Sequence, residues 1–224
     1  MSVLNISYQK DRVTFYTDTM SYNAEGAAVG LTEPKAFISD NGAFMWAFRG
    51  PSLLRCFNES LGKAHDVEDA ARMFAALVTG CDVPDLFKHG NIEATFAGPS
   101  GDGLAVLRFS VHERSATLSE PERLACGVHV FPRPSEGFAM PASAPDALMT
   151  RLALAQHKAQ AVALRKIGVG LCIGGCLHRT TVTHEGAWRD IAALYPSYQE
   201  DAAIAGDPCA DDVAAFLAGA KVAA

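Results

Sequence analysis

The sequence predicts an α+β fold in which two mainly antiparallel sheets pack face to face with helices outside them. Short apolar segments separated by turn residues fill the first fifty positions, two helical segments follow, and one long helical segment lies between two later groups of strands. Alternation of apolar and polar side chains over about four to eight residues indicates a strand, whereas recurrence at every third or fourth position indicates a helix. The order of hairpins, paired helices, hairpins, long helix and closing hairpin therefore predicts a sandwich.

The first half of the chain contains two predicted hairpins and a pair of helices. A Lys10-Asp11 turn separates the first two strands, and Pro51 stands at an early position of the first helix, where its missing N–H costs nothing. Asp66 is a suitable N-cap for the second helix. The predicted strands are 2–8, 12–17, 35–38 and 42–50, and the predicted helices are 50–62 and 66–80.

The second half of the chain begins with a hairpin around the Gly-rich loop 98–103 and ends with a short helix. A long helix is expected in between, because residues 145–166 are rich in Ala, Leu, Gln, Lys and Arg and contain few β-branched residues. Gly174-Gly175 marks a bulge or a close backbone approach within a later strand. The predicted strands are 92–97, 104–111, 124–131, 171–183 and 187–194, and the closing helix is 211–220.

Composition limits the classes of function. A chain of 224 residues with 49% hydrophobic content and no low-complexity linker is expected to form a single domain, 1–224. Its net charge of −6 offers no electrostatic footprint for nucleic acid. No apolar run is long enough to span a membrane and no secretory signal is present, so we expect no membrane partner and a cytoplasmic location. Its six cysteines are unevenly spaced and are expected to be reduced thiols.

Three residues near the N-terminus form a chemically specific set. Ser2 directly follows Met1, Asp18 ends the second predicted strand, and Lys35 opens a later one. Removal of Met1 would give Ser2 a free α-amine, whose pKa of about 7.7–8.0 suits a general base on the same residue as the nucleophile. A buried lysine nearby would keep that amine deprotonated, and a carboxylate would compensate the lysine charge.

The opening hairpin, the Lys35-Ala36-Phe37-Ile38 strand and the strand that ends at Gly50 resemble the proteasome β-subunit family of N-terminal nucleophile (Ntn) hydrolases. The resemblance covers about the first eighty residues and implies a four-layer αββα sandwich. It implies an amide or peptide substrate, with Ser2 as nucleophile, Lys35 as the group that tunes the amine, and Asp18 as its counter-charge. The Gly50 N–H would be the oxyanion donor. Because the family assembles into rings, it also implies self-association into a homo-oligomer.

Arg49 directly precedes Gly50 in the strand that shapes the substrate pocket of the family. A guanidinium there could bind an acidic or carboxylate-bearing substrate. The alternative is that Arg49 ends the strand at the surface or pairs with an acidic residue of the protein such as Glu33.

Two segments depart from the family pattern. The family supports its nucleophile with a Ser after a Gly and with an Asp before a Ser-Gly-Gly, but residues 125–129 and 170–175 supply neither. An alternative function therefore stays open: a catalytically inactive protein of the same fold that acts through assembly or partner binding.

A second constellation consists of side chains that bind zinc in other proteins: Cys172, Cys176, His178 and His184. On a strand, however, Cys172 and Cys176 share one face while apolar residues occupy the other, which is the ordinary pattern of a packed sheet. A zinc-binding module is thus the weaker alternative, and we expect neither a metal nor another cofactor. Cys126 and His129 lie three apart on a strand and are expected to be structural.

Overall fold

The protein was analysed as a computed structural model, which describes residues 3–22, 28–32, 34–50, 56–80, 92–111, 118–131, 143–167 and 173–219. The strands are β1 Leu4–Tyr8, β2 Val13–Asp18, β3 Met20–Tyr22, β4 Ala28–Leu31, β5 Ala36–Ile38, β6 Met45–Arg49, β7 Ile92–Ser100, β8 Gly103–Val111, β9 Glu122–Arg123, β10 Gly127–Phe131, β11 Cys176–Val182 and β12 Ala187–Leu194. The helices are α1 Asn58–Gly62, α2 Val67–Gly80, α3 Asp146–Ile167, α4 Tyr198–Ala205 and α5 Ala210–Leu217.

The described strands form two five-stranded sheets and one two-stranded ribbon. The first sheet has the order β10-β1-β2-β11-β12, the second has the order β5-β6-β7-β8-β9, and β3 pairs with β4. The strand pairings among the described residues are antiparallel. The predicted α+β class with mainly antiparallel sheets is therefore confirmed.

The buried side chains group into clusters that connect sheets and helices. One cluster draws on both large sheets and includes Ile6, Phe15, Met45 and Val106. A second joins α1 and α2 to the second sheet around Phe74, whose ring lies within 5.5–6.2 Å of Phe57, Phe96 and Phe109. A third joins α3 to the first sheet and includes Val3, Tyr16, Met149 and Tyr195. Burial of these large apolar side chains supplies the main driving force for folding.

Several elements differ from the sequence prediction for local reasons. The predicted strand 124–131 is shorter in the structure: β10 begins at Gly127 and pairs with β1, and the short strand β9, which pairs with β8, precedes the predicted range. Gly127 has a φ of 149°, which few other residues adopt, at the point where the chain enters β10. In the predicted strand 171–183, residues 171–172 lie outside the described residues, and among the rest β11 begins at Cys176, directly after Gly174-Gly175. The ribbon β3-β4 and helix α4 were missed.

Within the described ranges, no helix is both long enough and apolar enough to cross a membrane.

Candidate active site

The candidate site lies where the N-terminus of β1 meets the end of β2 and the start of β5. Ser2 itself lies outside the described residues, but its neighbour Val3 is buried, and the Val3 N–H donates to Asp18 Oδ1 at 2.9 Å. Lys35 Nζ lies 2.8 Å from the other carboxylate oxygen of Asp18. Asp18 thus connects the backbone of the N-terminal strand to the lysine from the second sheet.

Burial makes this ion pair electrostatically important. The Asp18 side chain is 0% exposed and the Lys35 side chain is 11% exposed. Lys35 also donates to the backbone oxygen of Met20. A carboxylate buried to this degree is expensive unless it is paired and hydrogen-bonded, and both of its oxygens meet that condition. The arrangement can therefore hold a cation next to the N-terminal residues of β1.

Gly50 and Arg49 lie at the end of β6. Gly50 is exposed and has a φ of 142°, so the position favours glycine. The Arg49 guanidinium donates to Glu93 and lies 5.8 Å from the ring centroid of Phe131. The acidic partner is Glu93 on the neighbouring strand β7; Glu33 lies outside the described residues. The role of Arg49 in substrate binding stays a prediction.

The Gly174-Gly175 turn packs directly against the residues that follow Asp18. A Cβ on Gly174 would lie 2.4 Å from Asp201 Oδ2, and one on Gly175 would lie 2.3 Å from Thr19 Oγ1. Thr19 Oγ1 in turn accepts a hydrogen bond from the Cys176 N–H at 2.9 Å. The double glycine is thus needed for the close backbone approach that its sequence indicated.

A polar group that sequence reasoning missed surrounds this turn. Asp201 Oδ2 accepts hydrogen bonds from the Gly175 N–H at 2.8 Å and from the Ser197 hydroxyl at 2.7 Å. His157 Nε2 lies 3.4 Å from Ser197 Oγ, and its ring lies 5.1 Å from that of Tyr195. Ser197 and Asp201 come from the start of α4, and a Ser before several acidic residues was the one signal for that helix start.

Asp18 contributes to the electrostatics of this group. Burial lowers the pKa of His157, against the opposing charges of Asp201 and Asp18. Burial and the Asp18 charge together raise the pKa of Tyr195 well above its ordinary value. His157 and Tyr195 are therefore expected to be neutral near pH 7, so that they add no charge beside the Asp18–Lys35 pair.

The candidate zinc ligands differ in their burial. Cys176 is buried, and burial raises its pKa to about 12. His178 is buried and His184 is exposed, while Cys172 lies outside the described residues. Among the residues that the structure describes, no group of three or more potential ligands could hold a metal ion.

Comparison with known proteins gave structural similarity only. No protein-family model matches the chain, and neither does any curated protein sequence. Three similar solved structures are Anbu (ancestral beta-subunit) from Yersinia bercovieri, with 11% identity and a TM-score of 0.53, and two Anbu structures from Hyphomicrobium sp. strain MC1. One of these, a Gly-1 mutant, has 11% identity and a TM-score of 0.56; the other has 12% and 0.55. Each comparison covers 98–100% of this chain and 99% of the other.

The chain has the fold of these Anbu structures. The assignment to the proteasome β-subunit family itself was wrong, because no family model matches and the similar structures are Anbu proteins at 11–12% identity. The opening hairpin and the Lys35 strand belong to the framework of the fold. Motifs of this kind identify a fold that several families share, and they do not separate one family from another.

Proposed function

We propose that the protein is an amidohydrolase that uses Ser2 as nucleophile after removal of Met1. The observation that carries this proposal is the buried Asp18 carboxylate, which binds the Val3 N–H and Lys35 Nζ at the same time. Through these two contacts the lysine cation is linked to the residue that directly follows Ser2. A nearby cation disfavours protonation of an α-amine, so Lys35 would keep the Ser2 amine available as a base.

In the proposed reaction the Ser2 hydroxyl oxygen attacks the carbonyl carbon of an amide. The α-amine of Ser2 takes the hydroxyl proton and returns it to the leaving amine as the C–N bond breaks. An ester of Ser2 results. Water, deprotonated by the same amine, then attacks the ester and releases a carboxylic acid, which restores the hydroxyl.

Gly50 and Arg49 complete the proposed site. The Gly50 N–H would stabilise the oxyanion of the tetrahedral intermediate, and its position at the end of β6 agrees with that role. Arg49 would contact an acidic part of the substrate while it stays paired with Glu93. Arg108 also binds Glu93 and, at 3.2 Å, Glu122, so Arg49 belongs to a network of charged side chains at this edge of the second sheet.

The wider architecture is part of the proposal. The three buried clusters support a four-layer αββα arrangement within one domain, 1–224, since each cluster joins a different pair of neighbouring layers. We also propose a cytoplasmic protein that acts on a peptide or amide substrate without nucleic acid or membrane, and that associates with copies of itself.

The test is acylation of the intact protein by an activated ester, followed by mapping of the modified residue. Ser2→Ala is the matched control, since alanine is also small enough for removal of Met1. We expect a stable acyl adduct on Ser2 in the wild type and none at that position in Ser2→Ala. Equal labelling of both proteins, or labelling elsewhere only, would remove Ser2 as the nucleophile.

A non-catalytic role on the same fold is the second candidate. It is favoured by residues 125–129, where the structure places Ala125, Cys126 and His129 and no serine, so that the supporting hydroxyl has no counterpart in this segment. In that case self-association or partner binding would persist unchanged in Ser2→Ala, and no amide substrate would be cleaved. Analytical ultracentrifugation of both proteins, with a peptide-library cleavage assay, separates the two candidates.

A further inference from the structure

A cavity of about 260 Å³ opens beside the first sheet, at the edge formed by β12. It is bounded by β5, β11, β12 and the first turn of α5. Its lining includes the apolar side chains of Ile38, Trp188 and Ile191, the imidazole of His178, and three charged side chains, Arg189, Asp190 and Asp212. Pockets for drug-sized ligands usually measure about 300–1,000 Å³, so an occupant of this cavity would be small.

His178 is the first sign that the cavity receives a ligand. Its side chain is 1% exposed, and neither ring nitrogen has a hydrogen-bond partner among the described residues. It stands opposite Thr17 on β2 and Ile191 on β12. Burial, and then the charge of Arg189, lower its pKa to about 4. The imidazole is thus neutral near pH 7 and offers one donor and one acceptor. A buried polar group without partners costs about 1–3 kcal/mol, so a complementary group is expected there.

Arg189 supplies the charge of the cavity. It follows Trp188 on β12 and is half-buried, and its Nη1 donates to the Ala36 carbonyl oxygen at a long 3.4 Å. Among the residues that the structure describes, this is its one hydrogen bond, which leaves most of its five N–H donors for other groups. The nearby carboxylate of Asp190 is bound by Arg179 through both of its oxygens. Asp212 is exposed at the rim, where water and salt screen its interaction with a ligand in the cavity.

We propose that this cavity binds a small carboxylate whose charged end pairs with Arg189 and whose short apolar chain packs against Ile38, Ile191 and Trp188. A planar guanidinium and a carboxylate match in geometry and charge. His178 is the neighbouring neutral hydrogen-bonding group. A cation is the poorer fit, because both oxygens of Asp190 are already bound by Arg179, Asp212 is exposed to solvent, and the described residues form no metal-binding group. This binding does not depend on the proposed hydrolysis.

The experiment titrates the Ser2→Ala protein, which lacks the proposed nucleophile, with isovalerate and with isovaleramide, an amide of nearly the same shape. The readouts are the emission of the partly exposed Trp188, compared with Trp188→Phe, and the shift in melting temperature. We expect saturable binding of isovalerate and at least about tenfold weaker binding of the amide, because the amide carries no charge. Absence of saturable binding, or equal binding of acid and amide, would overturn the proposal.

Variants locate the site. Arg189→Gln is expected to weaken isovalerate binding by at least about tenfold, whereas Arg72→Gln, on the exposed face of α2, is expected to leave it unchanged. Arg189→Lys keeps the charge but loses the planar fork and should give intermediate binding. If Arg189→Gln does not fold by circular dichroism, Arg189→Lys decides the matter. Wild-type affinity in a folded Arg189 variant would refute the site.

Discussion

Asp18→Asn removes the charge that holds Lys35 while it keeps the size of the side chain. The Asn oxygen can still accept the hydrogen bond that the Val3 N–H makes at 2.9 Å. The attraction to Lys35 Nζ, at 2.8 Å, is lost, and the Asn amide group that takes the place of Oδ2 is itself a hydrogen-bond donor. Because Asp18 is 0% and Lys35 11% exposed, the substitution removes a buried negative charge next to a nearly buried cation.

Removing one partner of a buried ion pair costs about 3–5 kcal/mol. Because the hydrogen bond from the Val3 N–H is retained, we expect Asp18→Asn to lower the free energy of unfolding by about 3 kcal/mol. Urea denaturation followed by circular dichroism measures the free energy of unfolding. Lys35→Met should cost a similar amount, since it leaves the buried carboxylate unpaired. The double variant should lose roughly 2 kcal/mol less stability than the sum of the two single losses.

The control is Glu59→Gln, which breaks the exposed Lys63–Glu59 pair on α1 and should cause no measurable change. A loss below about 1 kcal/mol in Asp18→Asn, or strict additivity in the double variant, would refute a buried and coupled pair at this site.

Three further predictions follow from buried groups. His178 should cost the wild type roughly 3 kcal/mol of stability as the pH falls from about 6.5 to 4. Its pKa is about 4 in the folded state, so over this range the unfolded state binds a proton that the folded state does not. In acid denaturation, His178→Gln should lack this part of the loss. Gly175→Ala should destabilise the protein by roughly 2–4 kcal/mol in thermal melts, since φ is +73° and the new Cβ would clash with its neighbours. The control is Gly80→Ala, whose Cβ meets nothing within 4 Å, and it should be tolerated. Mass-spectrometric mapping with a thiol reagent should show fast labelling at exposed Cys56 and none at buried Cys176, whose pKa is about 12.

Each of these has a clear contrary result. An identical pH dependence in the wild type and His178→Gln would show that the imidazole is not kept neutral by burial. Wild-type stability in Gly175→Ala would mean that the turn does not approach Thr19 as closely as the 2.3 Å contact requires. Labelling of Cys176 as fast as Cys56 under native conditions would show that the first sheet opens there.

Local sequence patterns predicted the helices and hairpins whose stabilising contacts join residues close in sequence. The hairpin of β1 and β2 and the long helix α3 were found within a few residues, because alternation and helix propensity act over short distances. The charge contact of Asp18 with Lys35 was also inferred. The ribbon β3-β4 was missed, since its first strand has only three residues, Met20–Tyr22.

The polar group around Gly175 could not be inferred from the sequence. Asp201 lies twenty-six positions after Gly175, and His157 comes from α3, so only the packing of three elements brings them together. The pairing of β10 with β1 has a similar cause, because these two strands are far apart in the sequence. Contacts of this kind depend on tertiary structure, which single-sequence patterns do not encode.

The most direct test of the proposed function is the intact mass of the protein purified from its native host. The account predicts loss of exactly one Met residue, which leaves Ser2 with a free α-amine beside the Asp18–Lys35 pair. A mass that retains Met1 would contradict it, since the amine that serves as the proposed base would then be part of a peptide bond.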